Sequence, residues 1–123
     1  MSTRNYLALP IDADEGFPQA FRLNFNSNSY RIVLYVNVLE GTQPDANGFY
    51  TLPAAGAFMV LRVLQENSAG PTVILQRKLV PNLEFEAGDV ALRFTQMYVA
   101  RSNLNGVGSF GSQVMGGIAA RWA

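Results

Sequence analysis

Residues 21–39 read FRLNFNSNSYRIVLYVNVL, and this stretch limits the choice of fold more than any other. Phe21, Leu23 and Phe25 alternate with Arg22, Asn24 and Asn26. A period of two is that of a half-buried strand, whose successive side chains point to opposite faces. Asn26-Ser27-Asn28-Ser29 then supplies turn chemistry, because short polar side chains bond their own backbone and tolerate left-handed geometry. Tyr30 to Leu39 follows, rich in Val, Ile, Leu and Tyr, so the segment is a hairpin. No stretch of ten or more residues carries a persuasive helical stripe, and the chain must therefore build its core from strands.

The rest of the chain keeps that rhythm. Glu40 to Gly48 holds Gly, Pro, Asp and Asn and reads as a loop. Phe49 to Leu52 is a short strand stopped by Pro53. Ala57 to Gln65 is an apolar run broken by Arg62. Its length admits a helix, but Gly56 and the turn residues Glu66 to Pro71 favour a strand, paired with Thr72 to Val80 in a second hairpin. Leu83 to Glu86 is a further short strand. Gly88-Asp89 turns the chain into a last long one, Val90 to Val99. The expected class is all-β: a small antiparallel barrel or sandwich of six or seven strands. We expect an N-terminal extension over 1–16, a β domain over 17–101 and a C-terminal arm over 102–123.

Composition narrows the function classes. At 123 residues and 49% hydrophobic, the chain is one globular domain. Nine basic and nine acidic residues cancel, leaving no net field to steer the chain toward nucleic acid or an anionic membrane. All the cations but Lys78 are Arg. Guanidinium is the better interface cation, although codon composition produces the same bias. Cysteine and histidine are both absent, which rules out disulfides, thiolate metal sites and Ser-His-Asp or Cys-His catalysis within this chain. The N-terminus, MSTRNYLALPIDADEG, does not read as a secretory signal. We expect no cofactor, no nucleic-acid partner and no membrane insertion.

Residues 102–123, SNLNGVGSFGSQVMGGIAARWA, hold Arg121 as their single charge. Gly106, Gly108 and Gly111 spell G-x-G-x-x-G there. A dinucleotide site needs a helix next and an acid about twenty positions on. Only twelve residues remain after Gly111, none of them acidic. The stretch therefore reads as an extended glycine-rich arm whose anchors dock on a partner. Phe110, Val114, Met115, Ile118, Arg121 and Trp122 are the interface candidates. On that reading, deleting 102–123 leaves a folded domain and abolishes assembly.

Other patterns point to weaker chemistry. Asp12, Asp14, Glu15 and Gly16 resemble the start of a calcium loop, but Gly16 and Leu23 stand where oxygen ligands are needed, so an acidic turn is the better reading. Glu84 and Glu86 share a strand face with Asp89 beyond the turn. Paired carboxylates suit glycoside hydrolysis, yet alternation with Leu83, Phe85 and Ala87 is also that of a solvent face. Arg77-Lys78 and Arg93, with Tyr98 and Arg101, offer a thin basic and aromatic platform. A β-sandwich carbohydrate-binding module using Tyr30, Tyr35 or Tyr98 as stacking platforms is the alternative to a structural role.

The hairpin FRLNFNSNSYRIVLYVN, the apolar strand after it, the strand closing on RKLVPNLEF and the last strand running into the tail together resemble the baseplate plug proteins of cyanophage tails. The likeness covers about residues 17–100 and rests on the hairpin rhythm and on Leu79-Val80-Pro81-Asn82-Leu83. The tail has no counterpart in that pattern, and the loop 40–53 is longer. The resemblance implies a non-enzymatic virion component, made in the host cytoplasm and seated in the tail baseplate. It would plug or adapt the tail-tip channel. Its partners would be other baseplate, hub or tube proteins, within a symmetric assembly or a homo-oligomer.

Overall fold

In the computed structural model, which describes residues 4–121, the chain forms β1 (Leu7–Ala8), β2 (Gln19–Phe25), β3 (Asn28–Val38), β4 (Phe49–Thr51), β5 (Ala57–Asn67), β6 (Gly70–Lys78), β7 (Glu84–Ala87), β8 (Val90–Ala100) and β9 (Gln113–Ala120). All pairings between these strands are antiparallel. Sheet I runs β1-β9-β8-β4, and β7 shares with β4 the far side of β8. Sheet II runs β2-β3-β5-β6. The all-β class read from the alternation is the class observed.

Register shows how period two becomes a core. In sheet II, Ile32 faces Val63 and Leu34 faces Leu61, with Phe21 beside Ile32. These inward rows meet Leu92, Phe94, Met97, Val114 and Ile118 of sheet I in one cluster. Each large aliphatic side chain removed from water there contributes roughly 1.5–3 kcal/mol. Leu79, within the LVPNL segment, is fully buried, and Asn82 turns the chain in left-handed geometry with its amide bonded to Phe94 O at 2.7 Å.

Among the described residues, the extended arm expected over 102–123 is not observed. Residues 113–120 are β9, hydrogen-bonded to β8 on one side and to β1 on the other. Val114 and Ile118, read as anchors for a partner, face the chain's own core, and Ile118 is only 4% exposed. A strand with neighbours on both sides needs neither charge nor bulk outside, and glycine is tolerated where another side chain covers it. Phe94, directly across from Gly116, does this: a Cβ at Gly116 would lie 2.6 Å from its ring.

The glycines before β9 are equally ordered by contacts. Asn103, fully buried, donates from Nδ2 to Gly106 O (3.2 Å) and Gly108 O (3.1 Å). Its Oδ1 accepts from the Ser112 hydroxyl at 2.6 Å, and Ser112 Oγ in turn accepts from the Ala100 amide at 2.7 Å. Gly108 N also bonds Asp14 O at 2.8 Å, so this loop is pinned to the acidic turn. The G-x-G-x-x-G is thus a loop wound round one asparagine.

Candidate interaction surfaces

Charged groups on the outward face of sheet I pair within the chain, while Met115 stands 57% exposed on it. Small residues, Ala8, Gly117, Ala91 and Ala119, occupy its rows. Around them lie two charged clasps. Arg4 donates from Nε to Glu84 at 2.9 Å and from Nη1 to the carbonyls of Ala120 and Arg121 at 2.6 Å each. The Tyr6 hydroxyl donates to the same Glu84 carboxylate, and the Arg93 guanidinium stands 5.9 Å from the Tyr6 ring centre. Burial first, then the Glu84 carboxylate, pushes the Tyr6 hydroxyl up to a pKa of about 12. Arg121 pairs with Glu86 and donates to Gly88 O at 3.3 Å. The two carboxylates considered for hydrolysis therefore hold the chain's ends to β7.

Between Tyr6, Arg93, Thr95 and Met115 a shallow groove of about 250 Å³ opens over Gly116 and Gly117. A second cleft, about 460 Å³, lies beside Arg22, Asn24, Ser29 and Glu66 and is spanned by the Arg22–Glu66 pair at 3.1 Å. Among the described residues no group of three carboxylates comes together to hold a metal ion. No helix among them is long and apolar enough to cross a membrane.

The outward face of sheet II is different. Val33, Tyr35, Phe58, Val60 and Leu64 stand on it, on the opposite side of β3 and β5 from the core rows. Val73 continues the row on β6, opposite Leu64. None of the six belongs to the interior cluster, although Val60 is only 6% exposed beneath its neighbours. Arg22, Arg31, Arg62 and Lys78 share that face, with Glu66 as its carboxylate. Arg22 and Arg31 lie directly opposite one another across β2 and β3. Like charges in that position destabilise a sheet. Lys78 sits 5.1 Å from the Phe58 ring centre, and Gln76 links Arg62 (3.0 Å) to the Tyr35 hydroxyl (3.4 Å).

The sequence-derived candidates thus scatter. Phe110, 45% exposed, lies in the Asn103 loop, and Met115 lines the sheet I groove. Arg121 is held by Glu86, and Trp122 lies outside the described residues. Tyr30 faces inward, fully buried, with burial raising its hydroxyl pKa. Tyr35 faces outward from sheet II, while Tyr98 of sheet I stacks on Phe49 with ring centres 4.3 Å apart. These three tyrosines do not form a row on one face. The apolar residues on the outward face of sheet II were missed, although Val33, Tyr35 and Arg31 interleave with the inward residues in the very hairpin that revealed the fold.

No family model, curated protein or solved structure matches this chain.

Proposed function

We propose that this protein is a structural assembly component that works through protein–protein contacts, in the manner of a phage-tail baseplate plug or adaptor. The observation that carries the reading is the outward face of sheet II. A solvent-facing sheet surface is ordinarily polar, whereas this one carries Val73 exposed and Val33, Tyr35, Phe58 and Leu64 half-buried among four cations. Aromatic and Arg side chains with an apolar centre are the composition of interface cores. The hairpin and the LVPNL turn, which carry the resemblance to baseplate plugs, lie in sheet II and at its junction with β7, so the likeness and the contact face involve the same part of the chain.

The test is location. Antibody-gold labelling and cross-linking mass spectrometry of purified tails should place the chain at the tail tip, with cross-links from Lys78 to hub or tube subunits. Purified particles that lack the chain would overturn the baseplate reading.

A further inference from the structure

The zero net charge conceals a segregation. The four strands of sheet II hold five of the nine cations, Arg22, Arg31, Arg62, Arg77 and Lys78, and one of the nine carboxylates, Glu66. Five of the nine carboxylates lie at one end of the molecule, where Arg101 also stands with its amide bonded to Gly48 O at 2.8 Å. Asp12, Asp14 and Glu15 form the turn before β2, and Glu40 and Asp45 lie in the loop after β3. Because β2 begins where β3 ends, these segments sit at the same end of sheet II. The Asn103 loop docks there too, through Gly108 N to Asp14 O at 2.8 Å and Ser109 Oγ to Asp14 Oδ2 at 2.8 Å. It presents Val107, 79% exposed, and Phe110 beside the acidic turn.

One chain therefore carries an apolar face rimmed by cations and an apolar knob rimmed by carboxylates. We propose that these two surfaces bind each other between copies of this chain, head to tail: the Val107–Phe110 knob and the Asp14–Glu15 turn of one copy on the Tyr35–Phe58 face of the next. Face-to-face pairing of two sheet II surfaces would set Arg22, Arg31 and Arg62 against their own kind, which costs free energy. Head-to-tail contact joins opposite signs and gives Arg31, whose cross-strand neighbour Arg22 already holds Glu66, a carboxylate to meet. Because the two patches lie on different surfaces, the contact is heterologous and propagates to a ring or an open filament. The inference rests on the contact-face reading above and names its occupant.

The experiment uses two variants of the full chain and their mixture, followed by sedimentation and light scattering, with circular dichroism to establish that each is folded. Arg62→Glu/Lys78→Glu spoils the face, and Glu15→Lys/Val107→Lys spoils the knob. The wild-type chain should form oligomers that weaken when salt rises from about 0.1 M to about 1 M, which shortens the screening length from about 10 Å to about 3 Å. Each variant alone should be monomeric. Mixed, they should give a heterodimer and nothing larger, since each retains the surface the other lacks.

A wild-type chain that stays monomeric at every concentration overturns the inference but leaves the location test of the baseplate reading intact. So does a face variant that cannot be rescued by the knob variant, which is the signature of face-to-face pairing. Binding of a fluorescent oligothymidine to the wild type, lost in the face variant while self-association is unchanged, would assign the face to single-stranded nucleic acid instead. If a variant unfolds, the single substitutions Lys78→Glu and Glu15→Lys on the exposed rims make the same comparison.

Discussion

The two sheets of this protein dress their outward faces in opposite ways. On sheet I, Arg4, Tyr6, Glu84, Glu86 and Arg121 are spent on one another and on the backbone at the chain's ends, around a floor of Ala and Gly. On sheet II, Val33, Tyr35, Phe58 and Val73 stand outward among cations that outnumber the carboxylates of that face. The first face closes the fold. The second leaves Val73 exposed and Val33, Tyr35 and Phe58 half-buried beneath cations, an arrangement that makes physical sense where another surface covers it.

The sharpest way to break this contrast is to remove a strand of sheet I. Cutting the chain after Ser112 deletes β9, which bridges β1 and β8 and supplies Val114 and Ile118 to the core. Losing two large buried side chains, at roughly 2–5 kcal/mol for each one truncated, exceeds much of a small domain's total stability of about 5–15 kcal/mol. Circular dichroism should show loss of the folded β signal. A folded truncated chain would restore the arm reading that the sequence suggested.

That reversal shows what could be read in the residues. Period-two alternation in 21–26 pointed to β2, richness in Val, Ile, Leu and Tyr after a polar turn pointed to β3, and Gly56 with the turn residues 66–71 pointed to β5 and β6. Alternation fails for β9, where MGGIAA is neither alternating nor charged. A strand flanked on both sides and covered by Phe94 and Tyr6 needs no side-chain pattern of its own, so the same glycines read as an arm. Asn103 was equally hidden: nothing local distinguishes a buried asparagine that organises three neighbours from an exposed turn residue. The apolar content of sheet II's outward face was legible in principle, since Val33 and Tyr35 break the polar half of the alternation in β3.

Next in size is the cover over Gly116. Its Cβ position lies 2.6 Å from the Phe94 ring, so Gly116→Val forces the ring or the strand to shift. Overpacking of this kind costs roughly 1–3 kcal/mol. The loss should be visible as a lower urea midpoint and should shrink when Phe94→Leu is combined with it, because neighbours in contact are non-additive. Equal losses with and without Phe94→Leu would show that the ring is not what Gly116 accommodates.

The clasp on sheet I makes a smaller, pH-dependent contribution. The Tyr6 hydroxyl titrates at about 12 in the fold, against 10.0 for a free tyrosine. A group whose pKa is raised by folding adds stability that is complete below the unfolded value and is lost as pH rises through the folded one. Wild type should thus lose stability between about pH 10 and 12 relative to Tyr6→Phe, which has no proton to lose there. Parallel stability curves for the two proteins across that window would show that Tyr6 ionises in the fold as freely as in the unfolded chain.

The smallest expected effect on the fold is the most telling for the contrast. Val73→Ser on the outward row of sheet II removes an exposed apolar side chain that touches no part of the interior cluster. Surface substitutions of this kind stay within about 0.5 kcal/mol of wild type. Removing exposed apolar surface also relieves a liability that a lone chain does not need. Oligomer size, by contrast, should fall at the same substitution. A residue that is neutral for folding and costly for association belongs to an interface, whereas one that lowers both together belongs to the core. Val73→Ser placed beside Ile118→Ala on one plot of midpoint against sedimentation coefficient therefore measures which face each sheet gives away, and a shared trend for both residues would remove the distinction between the two sheets.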